Sequence, residues 1–526
     1  MLALVILLLG AILPYFYLAA NGEPIPTEKG DDKACRKTKV AVLGAGMAGI
    51  TAAKRLSDTG IHDFVIVENN DRIGGRVWAH EFGKDNTSSS RDTYTVELGA
   101  NWIHGDRNND SCVSNPIWEM AEDSSLRTHL SDYSNTTVFD SSVKLSDEEN
   151  YRWYSEFSKA FGKTKEDAEG NPMMLAIEWA HIDWELAQSA VNSSRLFSTV
   201  SFKSTEDYFS RRNHFVLGPS RYASLIEKQA ATFLEHETAG SITDSRLVLQ
   251  HRVYEINATS PSSVIIRTKS ARKKSCIEAE QVIVTFSIGV LQHMIEGNEA
   301  LTFIPELPSW KTKAINAVDM GTYTKIFMQW RHGDVFWPDT QFILHASPRQ
   351  GYYPMFQNLD IEGFHPGSGI LFATVTGEES LRVDRQSDER TKREILQVLH
   401  TMFPNKHIPE PEHFFYPRWS TYDWVYGSYS NVPTGVSLFT RQNLRANVGR
   451  VWFAGEHTSI NWFGFLHGAY YEGADIGYRV AIRLQGGNRK VGKDMTYYEG
   501  PVEGVAPPEE WFEGNGVAFA LFGERT

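Results

Sequence analysis

Cysteine is scarce in this chain of 526 residues: Cys35, Cys112 and Cys276 are the whole complement. Three scattered cysteines exclude a disulfide framework and a cysteine-rich metal site, and allow one bridge with one free thiol. Positive charge is also short, with 52 Lys and Arg against 65 Asp and Glu and a formal net charge of −13. That balance argues against a nucleic-acid partner and suits a cationic small molecule, although most of the carboxylates are expected to be solvated surface. Residues 1–20 have no charged side chain at all and are dominated by Leu, Ile, Val and Ala. The run reads as a secretory signal cleaved near Ala19 or Ala20; it lacks the usual basic start, and an uncleaved membrane anchor is the alternative. Asn86, Asn109, Asn135, Asn192 and Asn257 each open an N-x-Ser/Thr sequon, consistent with export as a glycoprotein. At 41% hydrophobic composition the chain can bury a large core, and its length suggests two domains.

What is present is concentrated between Lys39 and Arg76. Val40, Ala41, Val42 and Leu43 form an apolar run, as expected of a parallel strand buried on both faces, and the run stops at Gly44. Gly44, Gly46 and Gly49 have the G-x-G-x-x-G spacing. The first permits a tight turn, the second admits a pyrophosphate close to the backbone, and the third lets helix and strand approach. Met47, Ile50, Ala53 and Leu56 recur at helical spacing, so a helix N-terminus aims N–H groups and the positive dipole end at the phosphates. A second strand, Phe64 to Val67, ends in Glu68, about 20 residues beyond Gly49, where a carboxylate can accept both ribose hydroxyls of an adenosine.

The residues that follow resemble a known family. Arg72-Ile73-Gly74-Gly75-Arg76 resembles the second glycine pair of flavin amine oxidases, which implies that Arg76 lies near the pyrophosphate of FAD. Glu97-Leu98-Gly99-Ala100-Asn101-Trp102-Ile103-His104-Gly105 resembles the segment by which polyamine oxidases pass the flavin ring. The resemblance implies backbone contact at Gly99, Ala100, Asn101 and Trp102, and a His104 facing substrate. Secreted plant members carry an acid in the His104 slot, whereas animal and yeast members carry His, which leaves open the side of the substrate nitrogen that is attacked. Val253 sits where the family contacts adenine through its backbone. Tyr323-Thr324-Lys325-Ile326-Phe327 matches the family context of a lysine that holds a water against flavin N5; alternation along a strand also places Lys325 on the face of Phe327, and a buried lysine tends to lose its proton. Trp419 to Gly435 resembles the wall beside the flavin. Monoamine oxidases tether FAD there through a cysteine; this chain has Ser428, implying non-covalent FAD. Gly455 and Glu456 match the acid that meets the ribityl region, with Thr458 beside it, and the helix expected over His467 to Leu484 points its N-terminus at the flavin pyrimidine in that family. Tyr429 and Phe465 match the two aromatic walls that flank the amine.

Between the motifs the reading is coarser. Ser146-Asp147-Glu148-Glu149 predicts a capping box opening a helix through Tyr151, Tyr154, Phe157 and Phe161, whose aromatics read as core. Glu178, Asp183 and Glu185 flank Trp179 and Trp184; solvated helix faces are the simpler reading, a cationic tunnel the alternative, and Glu185 is kept as a candidate. Strands are expected at Arg246 to Ile256, Ser262 to Thr268 and Gln281 to Leu291, with a basic turn at Ala271 to Ser275 and a helix from Trp310 to Val318. The resulting fold class is α/β: a Rossmann-like FAD-binding domain, discontinuous in sequence, plus an α+β substrate domain with a mixed sheet. The expected layout is a signal at 1–20, a leader at 21–38, FAD-binding segments at 39–106, 236–300 and 436–485, substrate segments at 107–235 and 301–435, and a tail of unknown role at 486–526. The implied activity is that of an FAD-dependent polyamine oxidase: hydride passes from a carbon beside nitrogen to flavin, the imine hydrolyses, and dioxygen reoxidises the flavin to give hydrogen peroxide. Its expected partners are a polyamine and dioxygen, with no nucleic acid, no metal, and no membrane once the signal is removed. The alternatives are an oxidase of monoamines or L-amino acids, the latter needing an arginine clamp for the carboxylate, and a non-catalytic binding protein on the same fold.

Overall fold

A strand without a polar face must be covered on both sides, and Val40, Ala41, Val42 and Leu43 are fully buried at the end of the strand Arg36–Leu43. The computed structural model describes residues 34–84, 93–149, 151–152, 171–237, 241–295 and 301–486. Arg36–Leu43 pairs in parallel with Phe64–Val67, and Phe64–Val67 with Leu247–Val248. On its other side lies Lys274–Val284, which pairs in parallel with Val451–Phe453 and antiparallel with Val264–Lys269; Arg252–Asn257 and Thr302–Ile304 complete the eight strands. One sheet is thus gathered from three stretches of sequence far apart. Against it the helices Met47–Asp58 and Leu466–Leu484 cross at backbone contact: a Cβ added at Gly473 would lie 2.3 Å from the Ala48 carbonyl oxygen, and one at Gly477 2.5 Å from that of Ala52. The small residues of the C-terminal helix are there to let this crossing close.

The second sheet runs His413–Phe415, Tyr323–Gln329, Ile370–Thr376, Met355–Asn358, Phe342–Ala346, Thr136–Asp140 and Val143–Lys144. It is mixed, as expected, because Phe342–Ala346 is parallel to Thr136–Asp140 and antiparallel to Met355–Asn358. A third sheet sets Trp102–His104 against Asn213–Val216, with Thr128–Leu130 on the far side.

Several local expectations change. The strand expected over Gln281 to Leu291 ends at Val284, and the apolar run continues as the helix Ile288–Ile295. Ser287 starts that helix, its hydroxyl accepting from the Val290 N–H and donating to the Val425 carbonyl. Thr302–Ile304 belongs to the first sheet through Arg252–Asn257, although residues from 301 onward read as substrate domain. The capping box is present, with Ser146 Oγ 2.7 Å from Glu149 Oε2 and accepting from the Glu149 N–H. Tyr151 is exposed rather than core; Tyr154, Phe157 and Phe161 lie outside the described residues, as do residues 1–33, Asn86 and residues 487–526. Cys35 and Cys276 are disulfide-bonded and Cys112 is a free, exposed thiol. No helix among the described residues is long and apolar enough to cross a membrane.

Candidate active site

The carboxyl ends of the parallel strands open onto a cleft with a cavity of about 300 Å³, and its floor is backbone. Gly44 turns at φ +112°, and Gly49 packs so closely that a Cβ would sit 2.0 Å from the Gly44 carbonyl oxygen. Gly49 therefore closes helix against strand, while Gly44 and Gly46 line the cleft. Gly46 is bridged to Gly74, and no side chain caps the helix that starts at Met47, so its first N–H groups face the cleft unspent. At this end Glu68 is buried; Oε2 accepts from the Ala45 N–H at 2.8 Å and Oε1 from the Asn70 backbone and side chain. Burial raises its pKa despite these donors. Val253 lies nearby in the same wall, at an irregularity in the pairing of Arg252–Asn257.

Midway, two far-apart segments meet at a carboxylate. Arg76 Nη1 donates to Glu456 Oε1 at 2.8 Å and to the Ser428 carbonyl at 3.0 Å. Glu456 also accepts from the Ser430 N–H and hydroxyl and from the Gly464 N–H at 2.8 Å. Burial alone would raise this carboxyl, but Arg76, His457 and the Ser430 hydroxyl outweigh it and hold the group at about 2. Gly455 adjoins it at φ +153°, and Thr458 Oγ1 donates to the Gly455 carbonyl. Gly99 lies where a Cβ would come within 1.7 Å of the Arg76 carbonyl oxygen, pinning Leu98 to Trp102 against the opposite wall. Trp419 is buried, edge-on to Trp78, and Arg72 covers the Trp78 ring at 4.8 Å.

At the far end five side chains converge. Lys325, on Tyr323–Gln329, is buried; its amine donates to the Gly99 carbonyl at 2.8 Å and to Asn101 Oδ1 at 3.0 Å. Burial pulls its pKa down to about 7, opposed by Glu97. The Tyr429 hydroxyl donates to the Glu185 carbonyl at 3.1 Å, and its ring packs on Gly464, where a Cβ would stand 3.3 Å from Cδ2. Phe465 meets His104 edge-on at 4.9 Å and stacks on His467 at 5.0 Å. His104 is held neutral, burial pulling it to about 4 against a hydrogen bond with Asn213. Glu185 is pushed up to about 7 by burial and by the charge of Glu206.

The acids beside the tryptophans are not solvated faces. Asp183 is buried, pushed up to about 7 by burial and by Glu178, and the Gln350 amide donates to both Glu178 and Asp183. Of the three, Glu185 lines the cleft. A second cavity of about 430 Å³ shares His104, Tyr133, Trp184, Glu185, Phe202 and Phe465 with the first, and its walls include Glu206 and Arg211, themselves an ion pair at 3.1 Å. Tyr133, Phe202 and Glu206 were missed by sequence reasoning, since none stands in a motif; the signal is the pairing of His104 with Asn213, whose amide donates to the Tyr133 hydroxyl at 3.1 Å.

The residues fit FAD. A glycine floor that a Cβ would fill and an uncapped helix N-terminus suit its phosphates, a buried acid at the second strand end its ribose, and an ion pair midway its ribityl chain.

Comparison with known proteins places the chain in a family. The family of flavin containing amine oxidoreductases matches residues 47–215 and 222–476. Polyamine oxidase 1 of Zea mays is 36% identical over 471 residues, covering 83% of this chain and 89% of that protein; polyamine oxidase 7 of Oryza sativa subsp. japonica is 34% identical over 469 residues, covering 83% and 93%. Among solved structures, cyclohexylamine oxidase from Brevibacterium oxydans superposes with a TM-score of 0.61 at 19% identity, covering 85% of this chain and 99% of that one. A putrescine oxidase bound to putrescine does so with a TM-score of 0.61 at 16% identity, covering 86% and 100%.

Proposed function

Because this chain belongs to the flavin-containing amine oxidoreductases, we propose that it oxidises a polyamine, spermine or spermidine or an acetylated derivative, at a secondary amine. The observation that carries the substrate class is Glu185, a carboxylate standing where the two cavities join, beyond the aromatic pair Tyr429 and Phe465. A monoamine has no second ammonium to set there. An L-amino acid would need a free arginine for its carboxylate, whereas Arg211 in the outer cavity is paired with Glu206. The similarity to plant polyamine oxidases over most of the chain supports the same reading.

In this reading the first sheet carries FAD and the second supports the substrate. Gly44, Gly46 and the helix start at Met47 receive the pyrophosphate, Glu68 and Val253 the adenosine, Arg76, Gly455 and Glu456 the middle of the cofactor, and Gly99 to Trp102 with Trp419 the ring. The flavin supplies the acceptor for a hydride from the carbon beside nitrogen and returns its electrons to dioxygen, giving hydrogen peroxide. Tyr429 and Phe465 hold the amine between two ring faces, which fixes the donor carbon and favours a nearby cation. Lys325, neutral or charged near pH 7, holds a proton beside the reacting centre. His104 stays neutral and contributes a hydrogen-bonding wall without repelling a cation. FAD is held non-covalently: the Ser428 hydroxyl, at the tethering position, is occupied with the Tyr323 backbone, accepting at 2.9 Å and donating at 3.1 Å. Acid precipitation should leave yellow flavin in the supernatant, and flavin retained in a washed pellet would refute this.

The test of function is peroxide release on spermine, spermidine, benzylamine and leucine, with mass spectrometry of the products. Polyamine turnover should exceed benzylamine turnover clearly and rise with pH through the neutral range; benzylamine outperforming both polyamines would end the polyamine reading. The chain is also read as exported. Asn109 and Asn192 are exposed at sequons, and two of the three cysteines are disulfide-bonded, as an oxidising compartment favours. Glycosidase treatment of protein from a secreting cell should lower its mass, and unchanged mass together with retention in the cell would count against export.

A further inference from the structure

Beneath Lys325 lies a charged group that the proposed chemistry does not use. Glu97 ends the strand Tyr94–Glu97 and is buried. Its Oε1 accepts from the Tyr222 N–H at 2.6 Å, whereas among the described residues no group donates to its buried Oε2. A carboxylate left half-satisfied away from water is costly unless a cation compensates it. Three cations act on it: Lys325, Arg221 and Arg72. Arg221 is spent on Glu227 at 3.0 Å, and Arg72 on the carbonyls of Gly75 and Val77 and on the Trp78 ring. Lys325 is different. Its amine donates to two neutral acceptors, the Gly99 carbonyl and Asn101 Oδ1, with the Trp102 ring 5.9 Å away and uncharged Thr374 opposite it in the sheet. The segment Gly99 to Asn101 that holds the lysine continues directly from Glu97, so one short stretch of chain fixes both groups. They are not in direct contact, since no ion pair within 4.0 Å joins them among the described residues.

We propose that Glu97 is a positioning residue for Lys325: it is the buried counter-charge of the lysine, and the pair together holds a single exchangeable proton at the wall of the cleft. The pair exists either as a neutral carboxyl with a neutral amine or as carboxylate with ammonium, two states that differ in the position of one proton, with no redox change. Burial raises Glu97 and lowers Lys325, and in each case the charge of the other group opposes the shift, so the charged form of each depends on the other. The Tyr222 phenol, which also faces Glu97, keeps its own proton, being pushed well above its usual range by burial and by Glu97. The placement of Lys325 beside flavin rests on the proposed function; its pairing with Glu97 does not.

Two readouts separate the two ideas. In the holoenzyme, Glu97→Gln should retain FAD by absorbance and shift the limb of the pH–rate profile that Lys325→Met abolishes. Glu97 raises the lysine pKa, so its loss should move that limb to lower pH by roughly 1–3 units; Glu97→Asp should restore it. Independently of turnover, infrared difference spectra of the protein across neutral pH should show a carboxyl band that is absent in Glu97→Gln. In Lys325→Met, which loses the cation that lowers Glu97, the same band should titrate at higher pH. If Glu97→Gln fails to fold, the band is assigned by its displacement in Glu97→Asp, and the comparison with Lys325→Met stands. A carboxyl band with the same midpoint in wild type and Lys325→Met, or a pH–rate limb unmoved by Glu97→Gln, would overturn the pairing. If no amine is oxidised but the band shifts as described, the function fails and the pairing stands.

Discussion

Two carboxylates in one cleft are treated in opposite ways. Glu456 is met by Arg76, by the Ser430 N–H and hydroxyl and by the Gly464 N–H, and is held at about 2. Glu185, at the other end, makes no hydrogen bond or ion pair through its carboxylate among the described residues, and burial together with Glu206 drives it to about 7. At the cofactor end the chain itself supplies the counter-charge, whereas at the substrate end Glu185 has no cationic partner among the described residues. A site in this condition is completed by what binds it, and a polycation supplies what is missing.

The largest expected effect comes from breaking the complete half. Arg76→Met leaves Glu456 buried without its cation, and removing one partner of a buried pair costs up to about 3–5 kcal/mol. The holoenzyme should lose FAD on gel filtration or melt well below wild type; unchanged FAD content and melting would mean that the pair is dispensable. Next is Lys325→Met, which keeps the cleft and removes the proposed proton carrier. FAD should remain bound while flavin reduction or reoxidation slows by about 10²-fold, the lower range for a lost acid–base group. Stopped-flow absorbance separates the half-reactions, and wild-type rates in both would make the lysine structural.

The pH response of stability sharpens the contrast. The folded-state pKa of Glu456 lies below its usual 4.5, so its stabilising contribution is full above that value and is lost as pH falls through about 2. Asp183 and Glu185 are raised from 3.8 and 4.5 to about 7, so they favour the fold most below their usual values, and that contribution is lost as pH rises through about 7. Melting temperatures should therefore decline more shallowly toward high pH in Glu185→Gln and Asp183→Asn than in wild type. Parallel curves would mean that these acids are solvated after all. The smallest effect is expected from Tyr429→Ala, which removes one aromatic face: about 0.5–2 kcal/mol, or roughly 2- to 30-fold in kcat/KM for spermidine, with FAD retained. Efficiency equal to wild type would leave the tyrosine as packing.

The cofactor half was legible in the sequence because its parts are local. A buried strand, three glycines at fixed spacing and a terminal acid are set by backbone sterics within one βαβ unit, and Gly44, Gly49 and Glu68 stand where that spacing requires. The substrate half was not, because its walls come from segments with no motif. Glu206 reaches the cavity only through the packing of the helix Arg195–Tyr208, and Tyr133 through the sheet that joins His104 to Asn213. Periodicity also failed where an apolar run changes element, at Val284 and Ile288, since buried strand and buried helix look alike over so few residues. Glu97 was read only as the first letter of a motif; that its Oε2 has no partner among the described residues is a three-dimensional fact.

The claim that the substrate half is completed by a second ammonium is tested most directly by anaerobic stopped-flow reduction of the flavin at increasing spermine concentration in wild type and Glu185→Gln, which gives the apparent affinity from the saturation of the rate. Loss of one charge-assisted hydrogen bond should weaken spermine binding by about tenfold, with FAD content and benzylamine affinity unchanged. Spermine bound equally well by both proteins would contradict the account.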